Sequence, residues 1–342
     1  MKRLMSGNHA IGEAAVLSGC TCYFGYPITP QNELTEYMAK RMADVDGVFI
    51  QSESEIAAIN MVLGAAVAGA RAMTSSSGPG MSLKQEGISY LAADELPAVI
   101  VNIVRGGPGM GNIAPSQSDY AQATRGGGHG DYKTVVLAPG SVQELTDIVP
   151  LAFDLADKYR NPVIILGDGM LGQMMEPVDF DGLVRPPDYE KGYTLTGAKD
   201  RPPRKVHSLI FDTKLQEEHN WKLFRKFQLM EQNEVRYEDY LTDDAEMIVV
   251  AHGIGARGSR VAPRVSAGPL PGADPGTPGE GRGSGTPRGA GGPCEVSRAS
   301  PSGAEGPVAA RCPLALRREA LVRFRRRRGR RNLRVRRIAL VV

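Results

Sequence analysis

Short apolar runs alternate with helix-period segments between residues 20 and 169. Six of these runs are rich in β-branched and aromatic residues and are candidate strands: CTCYFGYP, VFIQSE, RAMTSSS, AVIVNIVRG, TVVLAPG and PVIILGDG. Between them, apolar residues recur every three or four positions, the spacing of amphipathic helices. This alternation predicts an α/β fold in which helices cover both faces of a doubly wound parallel sheet.

Capping residues and apolar spacing mark several of the helices. Thr29 is a candidate N-cap with Pro30 at the first helical position. Apolar residues at three- and four-residue spacing predict the buried faces of this helix and of the next: Leu34, Met38 and Met42, then Ile56, Ile59 and Leu63. Ser141 is the candidate N-cap of a further helix, which Asn161 and Pro162 end.

Composition divides the chain into four segments. Residues 1–175 hold the predicted sheet, and residues 176–242 form a connector rich in Pro, Asp, Glu and Lys with a helix around Leu215 to Val235. Residues 243–256 begin with a strand and open a second α/β domain, similar to the C-terminal domain of transketolase, which is then truncated. Residues 257–342 are an Arg-, Gly- and Pro-rich tail that we expect to be disordered.

The last segment differs from the rest in charge and in residue types. Residues 257–342 contain 19 Arg and no Lys and carry a net charge of +14, whereas the preceding residues carry −11. Met, Tyr, Trp, Gln and His are also missing from it. Loss of residues with A/T-rich codons suggests a GC-rich gene read out of frame. A genuine basic tail is the alternative, and it would bind nucleic acid in a salt-dependent way.

The chain has no apolar run long enough for a signal peptide or a membrane span. Its four cysteines lack the spacing of a disulfide framework or of a cluster site. We therefore expect a cytoplasmic protein with no membrane association and no metal site of its own. The five histidines show no paired metal-ligand spacing.

Candidate chemistry lies where predicted strands end. Pro27 and Thr29 follow the first strand, and Glu53 and Glu55 follow the second, at the edge where doubly wound sheets bind ligands. Taken alone, the first loop is also explained as a well-capped turn, and an acidic helix start is also explained by the helix dipole. The dipeptide Gly167-Asp168 resembles the start of a Mg²⁺-diphosphate motif, but the following Asn comes too late, so Asp168 is expected to close the last strand.

Five separated motifs together resemble the alpha subunit of 2-oxoacid:ferredoxin oxidoreductases. They occur in order along residues 1–256: GYPITP at 25–30, QSESEIAAI at 51–59, TSSSGPG at 74–80, RGGPG at 105–109 and GGGHGD at 126–131. The resemblance implies the thiamine-diphosphate-binding fold for residues 1–175. The residues of the last motif and of SQSDY at 116–120 are more similar to the branched-chain type, which acts on 2-oxoisovalerate (3-methyl-2-oxobutanoate), than to the 2-oxoglutarate type. The 2-oxoglutarate type stays an alternative.

The resemblance implies roles for four residues. Glu55 would contact N1′ of the aminopyrimidine of thiamine diphosphate and share a proton with it. Pro27 and Thr29 would belong to the cofactor-binding loop. Thr29 and Arg105 would bind the carboxylate of the 2-oxoacid. Glu53 is expected to be a helix-start charge that faces elsewhere.

The resemblance also implies partners, because this chain would supply only half of an active site. A beta subunit would bind the diphosphate through Mg²⁺, and gamma and ferredoxin-like subunits would complete the enzyme. Iron–sulfur clusters on those subunits would carry electrons to ferredoxin, and the acyl group would pass to coenzyme A.

Two other functions remain open from the residues alone. A transketolase or decarboxylase half would share Glu55 without needing ferredoxin, and the electron acceptor distinguishes it. A scaffold protein with a nucleic-acid-binding tail would depend on the arginines after residue 256, although we do not expect nucleic acid to be a partner.

Overall fold

The computed structural model describes residues 2–183, 191–240, 247–261 and 333–339. The strands are β1 (Arg3–Ser6), β2 (Cys22–Gly25), β3 (Val48–Gln51), β4 (Ala72–Ser76), β5 (Ala98–Val104), β6 (Val135–Leu137), β7 (Pro162–Asp168), β8 (Met175–Val178), β9 (Arg236–Tyr240), β10 (Met247–Ala251) and β11 (Leu333–Ala339). The helices are α1 (Gly7–Leu17), α2 (Asn32–Asp44), α3 (Glu55–Ala68), α4 (Pro79–Ala93), α5 (Tyr120–Arg125), α6 (Val142–Tyr159), α7 (Gly169–Gln173), α8 (Thr213–Asn233) and α9 (Gly253–Val261).

Six strands form one sheet in the order β3-β2-β4-β5-β7-β6. Every neighbouring pair in this sheet is parallel. These strands are the six apolar runs of the sequence, so the predicted doubly wound parallel sheet is confirmed. The connection from β2 runs outward to β3, whereas β4 lies on the other side of β2. The sheet therefore has a topological switch point between β2 and β4, the place where such sheets bind ligands.

The helices bury two separate apolar faces of this sheet. Every residue of the central strands β5 and β7 is buried. One face packs against α1, α2 and α6 through residues such as Ile11, Met38 and Val149, and the other packs against α3 and α4 through Ile59 and Ile88. Burial on both sides explains why these strands read as continuous apolar runs rather than as alternating patterns.

Helix α2 begins later than the sequence predicts. Its N-cap is Gln31 rather than Thr29, so Pro30 precedes the helix. The Asn8 side chain donates to the Pro30 carbonyl at 2.9 Å, and this tertiary contact holds the loop in place of a helical turn. The Ser141 cap of α6 is confirmed, because its hydroxyl accepts from the Glu144 amide at 3.1 Å.

The predicted buried faces hold for α2 but only in part for α3. Leu34, Met38 and Met42 are fully buried. On α3, Ile59 is fully buried, whereas Ile56 is 46% exposed. Leu63 is partly buried, and Ala58 and Val62 take part in the buried face instead.

Other strands lie outside the central sheet. β1 and β8 form an antiparallel pair that the sequence pattern did not predict. The helix expected around Leu215 to Val235 is α8, which Asp212 caps. No helix among the described residues is long and apolar enough to cross a membrane.

The predicted strand of the second unit is β10, and α9 follows it. β10 belongs to a three-stranded sheet in the order β10-β11-β9, in which β11 is parallel to β10 and antiparallel to β9. β11 lies within the tail of residues 257–342, as does the end of α9, and the sequence did not predict that strand. The rest of the predicted tail, residues 262–332 and 340–342, lies outside the described residues, and the division into four segments stays a prediction.

Two glycines in the α3–α4 layer allow a test of this packing. A Cβ at Gly87 of α4 would overlap the Ile59 side chain of α3, whereas a Cβ at Gly64 of α3 would meet nothing within 4 Å. We expect Gly87→Ala to lower the free energy of unfolding by about 1–3 kcal/mol through overpacking. Gly64→Ala should raise it by about 1 kcal/mol through helix propensity. Urea unfolding followed by circular dichroism measures both, and equal effects would contradict the described helix contact.

Candidate active site

The carboxyl ends of four neighbouring strands bring the predicted site residues to one edge of the sheet. Thr29 follows β2, Glu55 follows β3, the turn at Gly78 follows β4 and Arg105 follows β5. These strands are adjacent in the order β3-β2-β4-β5. The switch point between β2 and β4 therefore lies in the middle of the set.

Glu55 is the first residue of α3, and its side chain is directed into the protein. The Ser54 hydroxyl caps the helix by accepting from the Ala57 amide at 3.2 Å. Glu55 is only 5% exposed, whereas Glu53, two residues earlier, is exposed. The cap thus fixes which of the two carboxylates is buried.

The turn between β4 and α4 lies against both Glu55 and Arg105. A Cβ at Gly80 would overlap the Glu55 carboxyl and the Ser76 hydroxyl. A Cβ at Gly78, which has a φ of +48°, would lie 3.1 Å from Arg105 Nε. The Cα atoms of Gly78 and Gly80, two residues apart, are at most about 7 Å apart. The Glu55 carboxyl and the Arg105 guanidinium therefore contact the same short turn.

Arg105 is 7% exposed and joins two loops. Its Nη1 donates to the Thr29 carbonyl at 2.9 Å, and its Nη2 donates to the Met110 carbonyl at 3.1 Å. Arg105 Nε is buried without a hydrogen-bond partner in the described part of the chain. A guanidinium held in this way keeps free N–H groups for a planar anion.

The other two predicted residues, Thr29 and Pro27, differ in how close they lie to the Arg105 guanidinium. Thr29 is partly buried, and its backbone carbonyl is the group that contacts Arg105. Its hydroxyl accepts from the Asn32 side chain at 3.4 Å. Pro27 is exposed in the loop that precedes it, so Thr29 is brought together with Arg105 whereas Pro27 lies at the solvent side.

A buried polar chain anchors the β2–α2 loop beneath the site. Tyr23 Oη lies 2.5 Å from Ser75 Oγ and 3.1 Å from Thr35 Oγ1. Ser75 in turn donates to the Gln31 side chain. Burial raises the pKa of Tyr23 to about 12, which keeps its hydroxyl protonated at neutral pH. These hydrogen bonds connect β4 to the first turn of α2 and so fix the loop that carries Thr29.

Two hydroxyls at the end of β4 are buried without a partner. Ser76 Oγ and Ser77 Oγ have no hydrogen bond within the ranges that the structure describes. Ser76 lies beside Gly80 and hence beside Glu55. Because buried hydroxyls are normally paired, these two are suited to bind a polar ligand at this edge.

The glycine-rich motif at 126–131 packs against α4 rather than against Glu55. The Gly127 amide donates to Gln85 Oε1 at 3.0 Å, and the Tyr132 hydroxyl donates to the same oxygen at 3.1 Å. These bonds hold the loop on the helix that starts at the site.

Asp168 is the last residue of β7, as the sequence predicts. Its Oδ1 accepts from the amides of Met170 and Leu171, both at 3.0 Å. Asp168 therefore caps α7. In the ranges with described side chains, no group of three or more His, Cys, Asp or Glu is arranged to hold a metal ion.

Apolar side chains near the site are exposed. They lie on the segments that carry the site residues: Tyr26, Ile50, Ile56, Met110 and Ile113, which are between 38% and 78% exposed. Exposed apolar residues concentrated in one region commonly mark a surface that binds another chain.

Sequence reasoning missed one charged residue close to the site, Lys84 of α4. It is fully buried, and its Nζ donates to the Thr74 hydroxyl at 3.0 Å. Burial lowers the pKa of Lys84 to about 7, and attraction to the charge of Glu55 opposes this shift. The signal was present in the sequence, since Lys84 takes the place of an apolar residue in the stripe of Met81, Ile88 and Leu91.

Comparison with known proteins identifies relatives of this chain. The family described as pyruvate flavodoxin/ferredoxin oxidoreductase, thiamine diP-binding, matches residues 13–239. The ketoisovalerate oxidoreductase subunit VorB of Methanothermobacter marburgensis is 52% identical over 260 residues, which cover 76% of this chain and 74% of that protein. The 2-oxoglutarate synthase subunit KorA of Archaeoglobus fulgidus is 48% identical over 189 residues, covering 55% of this chain and 54% of that protein.

A solved structure has the same fold. It is the 2-oxoglutarate:ferredoxin oxidoreductase from Magnetococcus marinus with 2-oxoglutarate, coenzyme A and succinyl-CoA bound. The TM-score is 0.66 at 28% identity, and the match covers 76% of this chain and 50% of that one. The chain thus spans about three quarters of the length of the VorB relative and half the length of the solved oxidoreductase.

The contacts of Arg105 predict the behaviour of the loop that follows it. We expect Arg105→Met to speed amide hydrogen exchange at residues 106–114 by about tenfold or more, because a hydrogen bond to a charged group contributes about 1.5–3 kcal/mol. Exchange measured by mass spectrometry tests this. Arg125→Met, at an exposed residue of α5, is the matched control and should leave the loop unchanged. Unchanged exchange in Arg105→Met would contradict the assigned contacts.

Proposed function

Because this chain belongs to the thiamine-diphosphate-binding family of pyruvate flavodoxin/ferredoxin oxidoreductases, we propose that it holds the aminopyrimidine ring of thiamine diphosphate in a 2-oxoacid:ferredoxin oxidoreductase. The observation that carries this proposal is the burial of Glu55 at this edge of the sheet, against Gly80 and beside the Ser76 hydroxyl, which has no partner among the described residues. A carboxyl in such surroundings is suited to exchange a proton with a ring nitrogen. The exposed Glu53 is not.

The residues present fit the pyrimidine side of the cofactor. Glu55 offers a carboxyl for a ring nitrogen, and the Ser76 and Ser77 hydroxyls are buried and without partners in the described chain. The missing side chain of Gly80 lets the backbone of α4 lie directly against the Glu55 carboxyl and the Ser76 hydroxyl, which keeps both groups together at this edge. When bound, thiamine diphosphate supplies the nucleophile and electron sink for decarboxylation of a 2-oxoacid. Glu55 holds or releases one proton at Oε1 in support of that chemistry.

The same proposal gives Arg105 and Thr29 the carboxylate of the 2-oxoacid. Arg105 is buried, fixed by two carbonyl contacts, and retains an unpartnered Nε–H among the described atoms. A guanidinium prepared in this way loses little entropy when it binds a planar anion. The Thr29 hydroxyl lies on the loop whose carbonyl Arg105 already contacts, so both groups are positioned by one set of bonds.

The site requires partners in this proposal. The five exposed apolar side chains near the site support a beta subunit that covers this edge and carries the diphosphate and Mg²⁺ site. Gamma and ferredoxin-like subunits with iron–sulfur clusters, ferredoxin itself and coenzyme A complete the reaction. The relatives are named as subunits, which supports a multi-subunit assembly. We place this assembly in the cytoplasm.

We propose 2-oxoisovalerate as the substrate. Support comes from the VorB relative, which is 52% identical over three quarters of its length, whereas the KorA relative matches over about half. 2-Oxoglutarate is the second candidate, favoured by the KorA relatives and by the substrate in the solved oxidoreductase.

The two carboxylates at the start of α3 provide a matched pair for testing. In the complex co-produced with its partner subunits, we expect coenzyme A- and thiamine-dependent dye reduction with 2-oxoisovalerate. Glu55→Gln should lower kcat by about 100-fold or more, because a positioned proton-transfer group contributes roughly 10²–10⁴-fold. Glu53→Gln removes the same charge from an exposed position and should retain the activity of the unmodified complex.

Comparison of substrates separates the two candidates. A larger kcat/KM for 2-oxoisovalerate than for 2-oxoglutarate supports the branched-chain assignment, and the reverse order overturns it. Activity of Glu55→Gln equal to that of Glu53→Gln would overturn the role of Glu55 itself.

A further inference from the structure

Lys84 is a buried charged residue that the reaction described above does not use. It lies on α4 with no exposed surface, and its described hydrogen bond goes from Nζ to the neutral Thr74 hydroxyl at 3.0 Å. A buried ammonium is costly without a charged partner or several hydrogen bonds. Apolar residues would fill this position at lower cost, which suggests a role beyond packing.

Lys84 lies one helical turn beyond the residue of α4 that contacts Glu55. Gly80 and Lys84 are four residues apart and therefore lie on the same side of α4. Gly80 abuts the Glu55 carboxyl, so Lys84 is one helical turn further along the same face. The charge of Glu55 is also the attraction that opposes the effect of burial on the pKa of Lys84.

We propose that Lys84 is a positioning residue for Glu55. The Lys84 ammonium balances the charge of Glu55 in the empty site and loses its proton when Glu55 shares a proton with the bound pyrimidine ring. This proposal rests on the proposed function. While the site is empty, the ammonium compensates the Glu55 carboxylate. When the ring binds, Glu55 and the ring nitrogen take up one proton from solvent and share it, so the compensation is no longer needed and Lys84 releases its own proton to solvent. The net charge of the buried site then changes little when the cofactor binds.

Other charged or titratable groups near α4 are arranged differently. Asp168 ends β7 and caps α7, Arg105 is bonded to two loop carbonyls, and Tyr132 is bonded to Gln85 on α4. Glu55 is the group whose charge acts on Lys84 in the described structure. The pair can therefore be treated as one coupled unit.

The pH range of the effect follows from the direction of the pKa shift. Burial lowers the pKa of Lys84 to about 7, so its ammonium is present below this pH and lost above it. At pH 7 about half of the empty sites carry the ammonium, and at pH 9 almost none do. Coupling between cofactor binding and Lys84 should therefore be seen near pH 7 and vanish by pH 9.

Proton uptake on cofactor binding measures this coupling without any turnover. The complex, freed of cofactor, is titrated with thiamine diphosphate and excess Mg²⁺ by isothermal calorimetry in buffers of different ionisation enthalpy. Lys84→Met should take up more protons than the unmodified complex at pH 7, by up to about half a proton per site, since no lysine proton is released. The two should coincide at pH 9.

Two further variants keep the test informative. Lys40→Met removes an exposed lysine from α2 and should match the unmodified complex at both pH values. Thr74→Val removes the described hydrogen-bond partner of Lys84 while keeping the shape of the side chain. It should lower the occupancy of the ammonium and shift proton uptake at pH 7 toward that of Lys84→Met, even if the latter assembles poorly.

The outcomes separate this inference from the proposed function. Equal proton uptake by Lys84→Met, Thr74→Val and the unmodified complex at pH 7, together with a reduced uptake in Glu55→Gln, overturns only the role of Lys84. Unchanged uptake in Glu55→Gln overturns the contact between Glu55 and the pyrimidine ring, and the role of Lys84 with it.

Discussion

The close approach of the first turn of α4 to Glu55 is the constraint on which the site depends. Only a residue without Cβ fits at Gly80, because the Glu55 carboxyl and the Ser76 hydroxyl occupy the space that a side chain would need. This approach connects the ends of β3 and β4, and the neighbouring Gly78 brings the same turn against Arg105. One short turn thus determines the relative positions of a buried carboxyl and a buried guanidinium, and the parallel sheet determines the position of the turn.

The sheet was predictable because the burial of its strands determines their residue types locally. Strands buried on both faces, such as β5 and β7, have nearly continuous apolar runs, which Asn102 interrupts in β5. Contacts between distant segments were not predictable in the same way. The cap at Thr29 looked sufficient by itself, but the bond from Asn8 to the Pro30 carbonyl moves the start of α2 to Asn32. β1 and β8 likewise depend on pairing residues that are far apart in the chain.

The site residues were predictable to different degrees. Glu55 and Arg105 emerged from motifs and from their places after strands, and the structure brings them to one turn. Ile56 has the spacing of a core residue and yet is exposed, because apolar spacing alone does not distinguish a buried helix face from an exposed one. Lys84 was missed for the opposite reason, since a lysine is ordinarily assigned to solvent whatever stripe it interrupts. Burial, which decides both cases, is a property of the assembled fold.

The two cations near Glu55 are suited to different tasks because they differ in how firmly they hold a proton. In general a guanidinium holds its proton far more firmly than an ammonium does, which suits it to binding anions. A buried ammonium such as Lys84 loses its proton near neutrality, so its charge follows that of its surroundings. Exchanging the two residues would place the firmly protonated side chain on α4 and the readily deprotonated one after β5. The difference between the two positions therefore follows from the chemistry of the side chains as much as from their places in the fold.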